Sequence, residues 1–136
     1  MNDLYAAYGS NLSAAQMQRR CPGASIAGQF LLPGWRLVLR KYARLEADPA
    51  AQCPIGLWRI TPAHLAALDR AEGAPRIYRR RLEDTPLGPA WIYHEVVDRA
   101  GPPGADYVAR IRAGYAEFAF DPAPLRDALA EWPQLT

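Results

Sequence analysis

Short apolar stretches, separated by glycine and proline, recur along the chain and predict strands. Trp35–Tyr42 shows the pattern well, because Trp35, Leu37 and Leu39 recur at every second position and give the stretch one apolar face. Ala43–Cys53 is polar and is interpreted as a loop or an irregular hairpin. The other predicted strands are Asp3–Tyr8, Ser25–Leu32, Ile55–Ile60, Tyr78–Glu83 and Ala90–Val97.

Helices are predicted where the apolar positions change to a helical spacing. Thr61 and Pro62 mark the beginning of one helix, because threonine is a favoured N-cap and proline is tolerated at the first helical position. Gly73 is suited to end that helix in a left-handed conformation. The other predicted helices are Ser13–Arg20, with Asn11 or Ser13 as its N-cap, Tyr107–Phe118 and Pro122–Trp132.

The order of these elements predicts the fold class. Several strands follow one another without an intervening helix, which argues against a doubly wound parallel sheet. We therefore expect an α+β fold, in which a small mixed β-barrel or a strongly curved sheet has helices packed outside it. The 136 residues are enough for one hydrophobic core, so residues 1–136 are predicted to form a single domain.

Composition excludes several classes of function. The net charge of +2 is too small to indicate binding to nucleic acid or to an anionic membrane. The N-terminus has neither a basic segment nor a long apolar segment, so we expect no signal peptide and a cytoplasmic location. Cys21 and Cys53 can form one disulfide, but two free thiols are expected in a reducing compartment. No cysteine or histidine spacing predicts a metal site, and His64 is expected to be exposed.

The stretch Gly9–Leu12 connects a predicted strand directly to a predicted helix. Backbone N–H groups in such a turn point outward and can hold an anion such as a carboxylate. Glycine and a capping residue are also what any strand-to-helix turn needs, so this stretch alone favours the purely structural interpretation.

Glu72 occupies an unfavourable position for a carboxylate, in the last turn of the helix that Gly73 ends. If its side chain enters an apolar pocket, burial and the helix dipole both raise its pKa, as in a general acid or base that works near neutral pH. A solvated glutamate at a helix end is the commoner situation, and the position alone favours it.

The stretch from Arg76 to Arg81 is the most basic in the chain and contains aromatic and aliphatic residues between its arginines. Such a run can contact nucleic acid. On a strand, however, Arg80 faces away from Arg79 and Arg81, which divides the charge between two faces. A solvated strand is therefore the favoured interpretation.

Several sequence motifs, in order, resemble the γ-glutamylcyclotransferase-like family. They are "YAAYGSNL", "QMQRRCPGA", "LPGWRLVLR", "PIGLWRITPAHLAALDRAEGAPRIYRR" and "ADYVARIRAGYAEFAFDPAPLRDAL". The combination of YGSNL near the N-terminus with LDxxEGxPxxYxR further along is specific, although each motif alone is weak. The resemblance covers nearly the whole chain.

The resemblance implies a small mixed β-barrel with outer helices, and a cyclisation that converts a γ-glutamyl group into 5-oxoproline and frees an amine or amino acid. It implies no metal and no organic cofactor. The catalytic glutamate of the family corresponds to Glu72. The family's substrate-binding residues correspond to Tyr8, Gly9, Ser10, Asn11, Leu12 and Tyr107.

Three positions depart from the family pattern, namely Arg44, Glu95 and Gly104, and each could line the pocket. Tyr78 is expected to pack on the helix that carries Glu72. We expect a small γ-glutamyl compound as the partner of a monomer or homodimer, with no nucleic acid and no membrane. The alternatives are a non-catalytic member of the same fold that binds a small anion, and, in third place, a nucleic-acid adaptor.

Overall fold

The computed structural model describes residues 3–136; Met1 and Asn2, which belong to the predicted domain, lie outside the described residues. Within residues 3–136 the chain forms five strands and four α-helices. The strands are β1 (Asp3–Ala7), β2 (Ser25–Leu39), β3 (Ala43–Ile60), β4 (Tyr78–Glu83) and β5 (Ala90–Glu95). The helices are α1 (Ala14–Arg20), α2 (Pro62–Glu72), α3 (Ala105–Glu117) and α4 (Ala123–Leu129), with short 3-10 turns at Ser10–Leu12 and Pro133–Leu135.

The strands form one mixed sheet in the order β2-β3-β1-β5-β4. β1 lies at its centre, antiparallel to β3 and parallel to β5, while β2 and β4 are the two edges of the sheet described. The sheet is curled but not closed. The predicted α+β class is confirmed in its second form, a strongly curved sheet with helices outside rather than a closed barrel.

The middle of the chain differs from the prediction in the extent of its strands. Two strands separated by Pro33 and Gly34 were expected, but β2 continues through them, and an irregularity in the pairing between Pro33 and Trp35 absorbs the proline. Ala43–Cys53, interpreted as a loop or an irregular hairpin, is the first part of β3 and pairs with β2 in a hairpin with an irregular register, so only the loop alternative was wrong. Its polar residues belong to a solvent-facing hairpin, where Arg36 Nη2 lies 3.2 Å from Glu46 Oε1.

The helix ends agree closely with the capping residues in the sequence. Ser13 is the N-cap of α1, and its hydroxyl accepts from the Gln16 N–H at 3.2 Å. Thr61 and His64 form a reciprocal capping box at the start of α2. The predicted exposure of His64 was therefore wrong: its side chain is partly buried, and its Nε2 lies 2.7 Å from the Pro22 carbonyl oxygen. Gly73 ends α2 in the left-handed conformation, with φ of 67°.

Two glycines bring α3 and β3 close to the 3-10 turn Ser10–Leu12. A Cβ on Gly114 of α3 would overlap Leu12 Cβ and lie 2.8 Å from the Leu12 carbonyl carbon. A Cβ on Gly56 of β3 would lie 2.8 Å from Leu12 Cδ2. Because both positions lack a side chain, Leu12 is fully buried between them and the turn is fixed to the core.

Two further features of the fold are the state of the cysteines and the lengths of the helices. Cys21 and Cys53 are both buried free thiols, as expected. No helix within residues 3–136 is long enough and apolar enough to cross a membrane.

Candidate active site

Two adjoining cavities lie where the end of β1, the start of β3, the end of α2 and the start of α3 meet. The inner cavity, of about 30 Å³, is lined by Tyr5, Tyr8, Gly9, Ser10, Asn11, Ala43, Glu72, Tyr78, Tyr93 and Tyr107. The outer cleft, of about 450 Å³, shares Ser10, Glu72, Tyr78 and Tyr107 with it. The inner cavity has room for a few atoms only, whereas the outer cleft lies within the size range of small-molecule sites.

Glu72 lies at the junction of the two cavities, in the last turn of α2. Burial raises the pKa of its carboxyl from the ordinary value to about 6, although Arg20 and Arg99 oppose the shift by favouring the charged form. Glu95 adds a smaller upward effect on the pKa of Glu72. The carboxylate is therefore placed to accept a proton near neutral pH and to return it.

Asn11, in the 3-10 turn, connects two elements, β1 and α1, to this carboxylate. Its amide nitrogen lies 3.0 Å from the Tyr5 hydroxyl and 3.4 Å from Glu72 Oε1, and its carbonyl oxygen accepts from Arg20 Nη1 at 2.9 Å. Asn11 is 3% exposed; its contact with Tyr5 is buried, and its contacts with Glu72 and Arg20 are partly buried. Asn11 thereby orients Glu72 relative to β1 and α1.

Five tyrosines surround the inner cavity, and three of them use their hydroxyl protons within the protein. The Tyr8 hydroxyl donates to the Tyr93 carbonyl oxygen at 2.6 Å, and the Tyr78 hydroxyl donates to the Ala43 carbonyl oxygen at 2.7 Å. The Tyr93 hydroxyl donates to Asp69 Oδ1 at 2.7 Å, which attaches β5 to α2. These three contacts fix the walls of the cavity.

The other two hydroxyls, on Tyr5 and Tyr107, act as acceptors. Tyr107 accepts from the Ala43 N–H at 2.9 Å, and Tyr5 accepts from the Asn11 amide. Within the described residues, neither hydroxyl donates to a protein group, so each keeps a proton for a ligand. Burial raises the pKa of both phenols, which therefore stay protonated and can serve as hydrogen-bond donors.

The 3-10 turn supplies further donors. The backbone N–H groups of Gly9, Ser10 and Asn11 donate to no acceptor within residues 3–136, and all three residues line the inner cavity. A Cβ on Gly9 would lie 3.2 Å from the Tyr107 hydroxyl, so the missing side chain keeps the space beside that hydroxyl open. Neutral N–H and O–H donors facing a small cavity suit a carboxylate or a developing oxyanion.

The structure brings together most of the residues that the sequence predicted for the site. Tyr8, Gly9, Ser10, Asn11, Glu72 and Tyr107 all line the inner cavity. Leu12 does not: its side chain lies in the core, and its backbone N–H donates to the Gly9 carbonyl oxygen at 3.0 Å. Leu12 holds the turn in place, and its geometry does not support the predicted contact with substrate.

Sequence reasoning missed three of the tyrosines in the cavity wall. Tyr78 was expected to pack on α2, but it lines both cavities. Tyr5 and Tyr93 were not singled out, because they lie on separate strands that only the sheet order brings together. A tyrosine in an otherwise apolar strand was the available signal, since a buried hydroxyl needs a partner.

The three departures from the family pattern lie outside the walls of both cavities, so none of them lines the pocket as the sequence suggested. Arg44 and Glu95 form an ion pair at 3.4 Å, and Glu95 also pairs with Arg99 at 2.9 Å. The Glu95 side chain is 1% exposed. Because Arg99 lines the outer cleft and Glu95 itself raises the pKa of Glu72, this pair acts on the site from outside its walls. A Cβ on Gly104 would meet open space.

Two arginines of the basic strand β4 contact neighbouring side chains of the same protein. Arg80 pairs with Asp69 at 2.9 Å and its guanidinium lies 4.3 Å from the centre of the Trp91 ring. Arg81 lies 5.4 Å from the centre of the Trp35 ring. These contacts fit the solvated strand that the sequence favoured. In the part of the chain that the structure describes, no group of three or more histidine, cysteine or acidic side chains is placed to hold a metal ion.

Comparison with known proteins identifies the family to which the chain belongs. The family model described as "Gamma-glutamyl cyclotransferase, AIG2-like" matches residues 5–109, a span that contains every residue of the inner cavity. The chain therefore belongs to the AIG2-like gamma-glutamyl cyclotransferase family, which confirms the resemblance found in the sequence. No curated protein sequence matches the chain significantly.

Several solved structures share the fold. A gamma-glutamyl cyclotransferase structure aligns with a TM-score of 0.82 at 21% identity, covering 96% of this chain and 88% of that one. An uncharacterized human protein aligns at 0.80 and 21% identity, covering 95% and 87%. The ytfP protein of Escherichia coli aligns at 0.56 and 25% identity, covering 70% and 84%. The first two likenesses, at their low identity, establish the fold alone.

Proposed function

We propose that this protein cyclises the γ-glutamyl group of a small substrate, releasing 5-oxoproline and a free amine or amino acid. The observation that carries the proposal is the Glu72 carboxylate, whose pKa is raised to about 6 in a cavity that also presents unused O–H and N–H donors. Family membership supports the reaction class. Because both reacting groups belong to the substrate, the protein needs only to hold them in position and to transfer protons.

The reaction joins two groups of one molecule. The α-amine nitrogen attacks the γ-carbonyl carbon, the new C–N bond closes a five-membered ring, and the bond from that carbon to the leaving nitrogen breaks. Holding the two groups in a reactive geometry is worth up to roughly 7–11 kcal/mol of the barrier. The inner cavity has room for a few atoms only, so it supports this role by enclosing the reacting part of the γ-glutamyl group beside Glu72 while the rest of the substrate occupies the outer cleft.

Proton transfer is assigned to Glu72. The α-amine of the substrate is mostly protonated at neutral pH, with a reference pKa of about 8, and must lose a proton before it attacks. Glu72 takes that proton as a base and returns it to the leaving nitrogen as an acid, so the carboxylate is regenerated at each turnover. The second proton that the attacking nitrogen loses on forming the lactam N–H passes to the freed amine, which leaves as an ammonium ion. Catalysis of this kind typically contributes about 10²–10⁴-fold.

The donors of the inner cavity complete the site. The Tyr107 and Tyr5 hydroxyls and the N–H groups of the Gly9–Asn11 turn can bind the α-carboxylate of the substrate or the oxyanion that forms at the γ-carbon.

The proposal is tested by measuring 5-oxoproline after incubation with γ-glutamyl amino acids, γ-glutamyl amines and glutathione, using wild type and Glu72→Gln. Glutamine keeps the size of the side chain and its hydrogen bonds but cannot carry the proton. We expect release by wild type and a loss of about 10²-fold or more in kcat for the variant. Substrate binding to Glu72→Gln, measured by calorimetry, should persist.

A non-catalytic role is the second candidate, and one observation favours it: four arginines line the outer cleft. A protein of this kind would bind a small anion without converting it. Binding of γ-glutamyl compounds with no 5-oxoproline from any of them would replace the first proposal by this one. Equal turnover by wild type and Glu72→Gln would instead remove Glu72 from the mechanism.

A further inference from the structure

The outer cleft carries far more positive than negative charge. Four arginines line it, on α1, α2, α3 and the loop after β5: Arg20, Arg70, Arg110 and Arg99. Glu72 is the one carboxylate among its described lining residues. The net charge of the whole chain is only +2, so this concentration is a local feature.

Two of these arginines already form contacts with other side chains of the protein. Arg99 pairs with Glu95 at 2.9 Å and lies 4.3 Å from the centre of the Tyr42 ring. Arg20 donates to the Asn11 carbonyl oxygen at 2.9 Å. Both also lower the pKa of Glu72, which helps its carboxylate to ionise. Their presence is therefore explained by the site itself.

Arg110 has no such explanation, and Arg70, which is exposed, has only a partial one. Within residues 3–136 neither forms an ion pair with a carboxylate or a side-chain hydrogen bond, and neither is among the charges that shift the pKa of Glu72. Arg70, in the last turn of α2, has a favourable interaction with the helix dipole. Arg110 lies in the middle of α3, is partly buried, and gains nothing from a helix end.

The two guanidinium groups line the cleft that the leaving group of the substrate would occupy. If the reacting carbon of the γ-glutamyl group lies beside Glu72 at the mouth of the inner cavity, the leaving group extends into the outer cleft, which adjoins the inner cavity at Glu72. Guanidinium groups bind carboxylates through paired hydrogen bonds. We propose that Arg110 and Arg70 bind a carboxylate of the leaving group, so that the protein selects γ-glutamyl amino acids and peptides over γ-glutamyl amines.

This inference rests on the proposed function, and a matched pair of substrates tests the two separately. γ-Glutamylalanine and γ-glutamylethylamide differ only in the carboxylate of the leaving group. The loss of a hydrogen bond to a charged group is typically worth about tenfold or more. We therefore expect kcat/KM for γ-glutamylalanine to exceed that for γ-glutamylethylamide at least about tenfold, mainly through a lower KM.

Variants of the two arginines then test whether these residues cause the substrate preference. Arg110→Gln and Arg70→Gln each remove one guanidinium, and the double variant should bring the ratio of the two kcat/KM values close to one. Arg110→Lys keeps the charge but not the paired donors, and should retain part of the preference. Arg59→Gln is the matched control, because Arg59 is exposed on β3 outside both cavities and its replacement should leave the wild-type ratio.

The outcomes separate the two claims. Release of 5-oxoproline from both substrates with equal efficiency, or a preference that survives the double variant, overturns the inference and leaves the proposed function intact. A failure to release 5-oxoproline from either substrate contradicts the proposed function, and the inference falls with it. A tenfold preference that disappears in the double variant and persists in Arg59→Gln supports both.

Discussion

Glu72 illustrates how a single residue can be identified before a fold is known. Its place before Gly73 at the end of a helix is unfavourable for a carboxylate, and that conflict, together with the motif around it, marked it in the sequence. Its environment could not be predicted in the same way. The contacts with Asn11 and the nearby Arg99 come from parts of the chain that are distant in sequence, and they depend on the tertiary arrangement.

The raised pKa of Glu72 predicts a pH-dependent stability. The carboxyl is easier to protonate in the folded state, with a pKa of about 6, than in the unfolded chain, where it is near 4.5. Its stabilising contribution is complete below about pH 4.5 and is lost as the pH rises through 6. The ionised group then lowers the free energy of unfolding by about 1–2 kcal/mol.

Glu72→Gln removes this effect. When the pH is raised from 4.5 to 7.5, the free energy of unfolding of the variant should therefore increase by about 1–2 kcal/mol relative to that of wild type. Urea denaturation of both proteins at the two pH values measures the change. A stability difference that is the same at both pH values would contradict the assignment of the raised pKa to Glu72.

At the scale of elements, the sequence predicted helix ends better than strand lengths. Ser13, Thr61 and Gly73 act locally, through hydrogen bonds or a backbone conformation within a few residues, so their roles were visible in the sequence. The length and continuity of the β2–β3 hairpin were not predicted, although an irregular hairpin was one interpretation of Ala43–Cys53. Its polar part is a strand because it pairs with β2 across Arg36 and Glu46, and cross-strand pairing leaves no signal in a single stretch of sequence.

The contact between α3 and the turn of the site predicts an unusual response at Gly114. A glycine-to-alanine change inside a helix normally stabilises by about 0.5–1 kcal/mol. Here the new Cβ would overlap Leu12, so Gly114→Ala should instead destabilise the protein by about 1–3 kcal/mol and lower kcat by displacing the turn.

Gly104→Ala is the control for this change, because its new Cβ meets open space at the start of the same helix. Its stability should stay within about 0.5 kcal/mol of wild type. Thermal or urea denaturation of the three proteins makes the comparison. An increase in stability for Gly114→Ala would show that α3 does not hold the turn as described.

At the scale of the whole molecule, the sheet order explains why the site lies where it does. β1 is central, so the turn that follows it is flanked by β3 on one side and by β5 on the other. This arrangement gathers tyrosines from three strands and one helix around a single cavity. The fold class could be predicted from the order of elements, but the open, curled sheet could not, because closure depends on pairing between strands distant in sequence.

The central claim is that the Glu72 carboxylate, adjusted by burial, is the base of a γ-glutamyl cyclisation. The pH dependence of kcat/KM for 5-oxoproline release by wild type tests it most directly. Because Glu72 must be ionised to accept the proton, kcat/KM should rise with pH, with a midpoint near 6, and then level off. A rate that does not change between pH 4.5 and 7.5, or no release of 5-oxoproline at any pH, would contradict the claim.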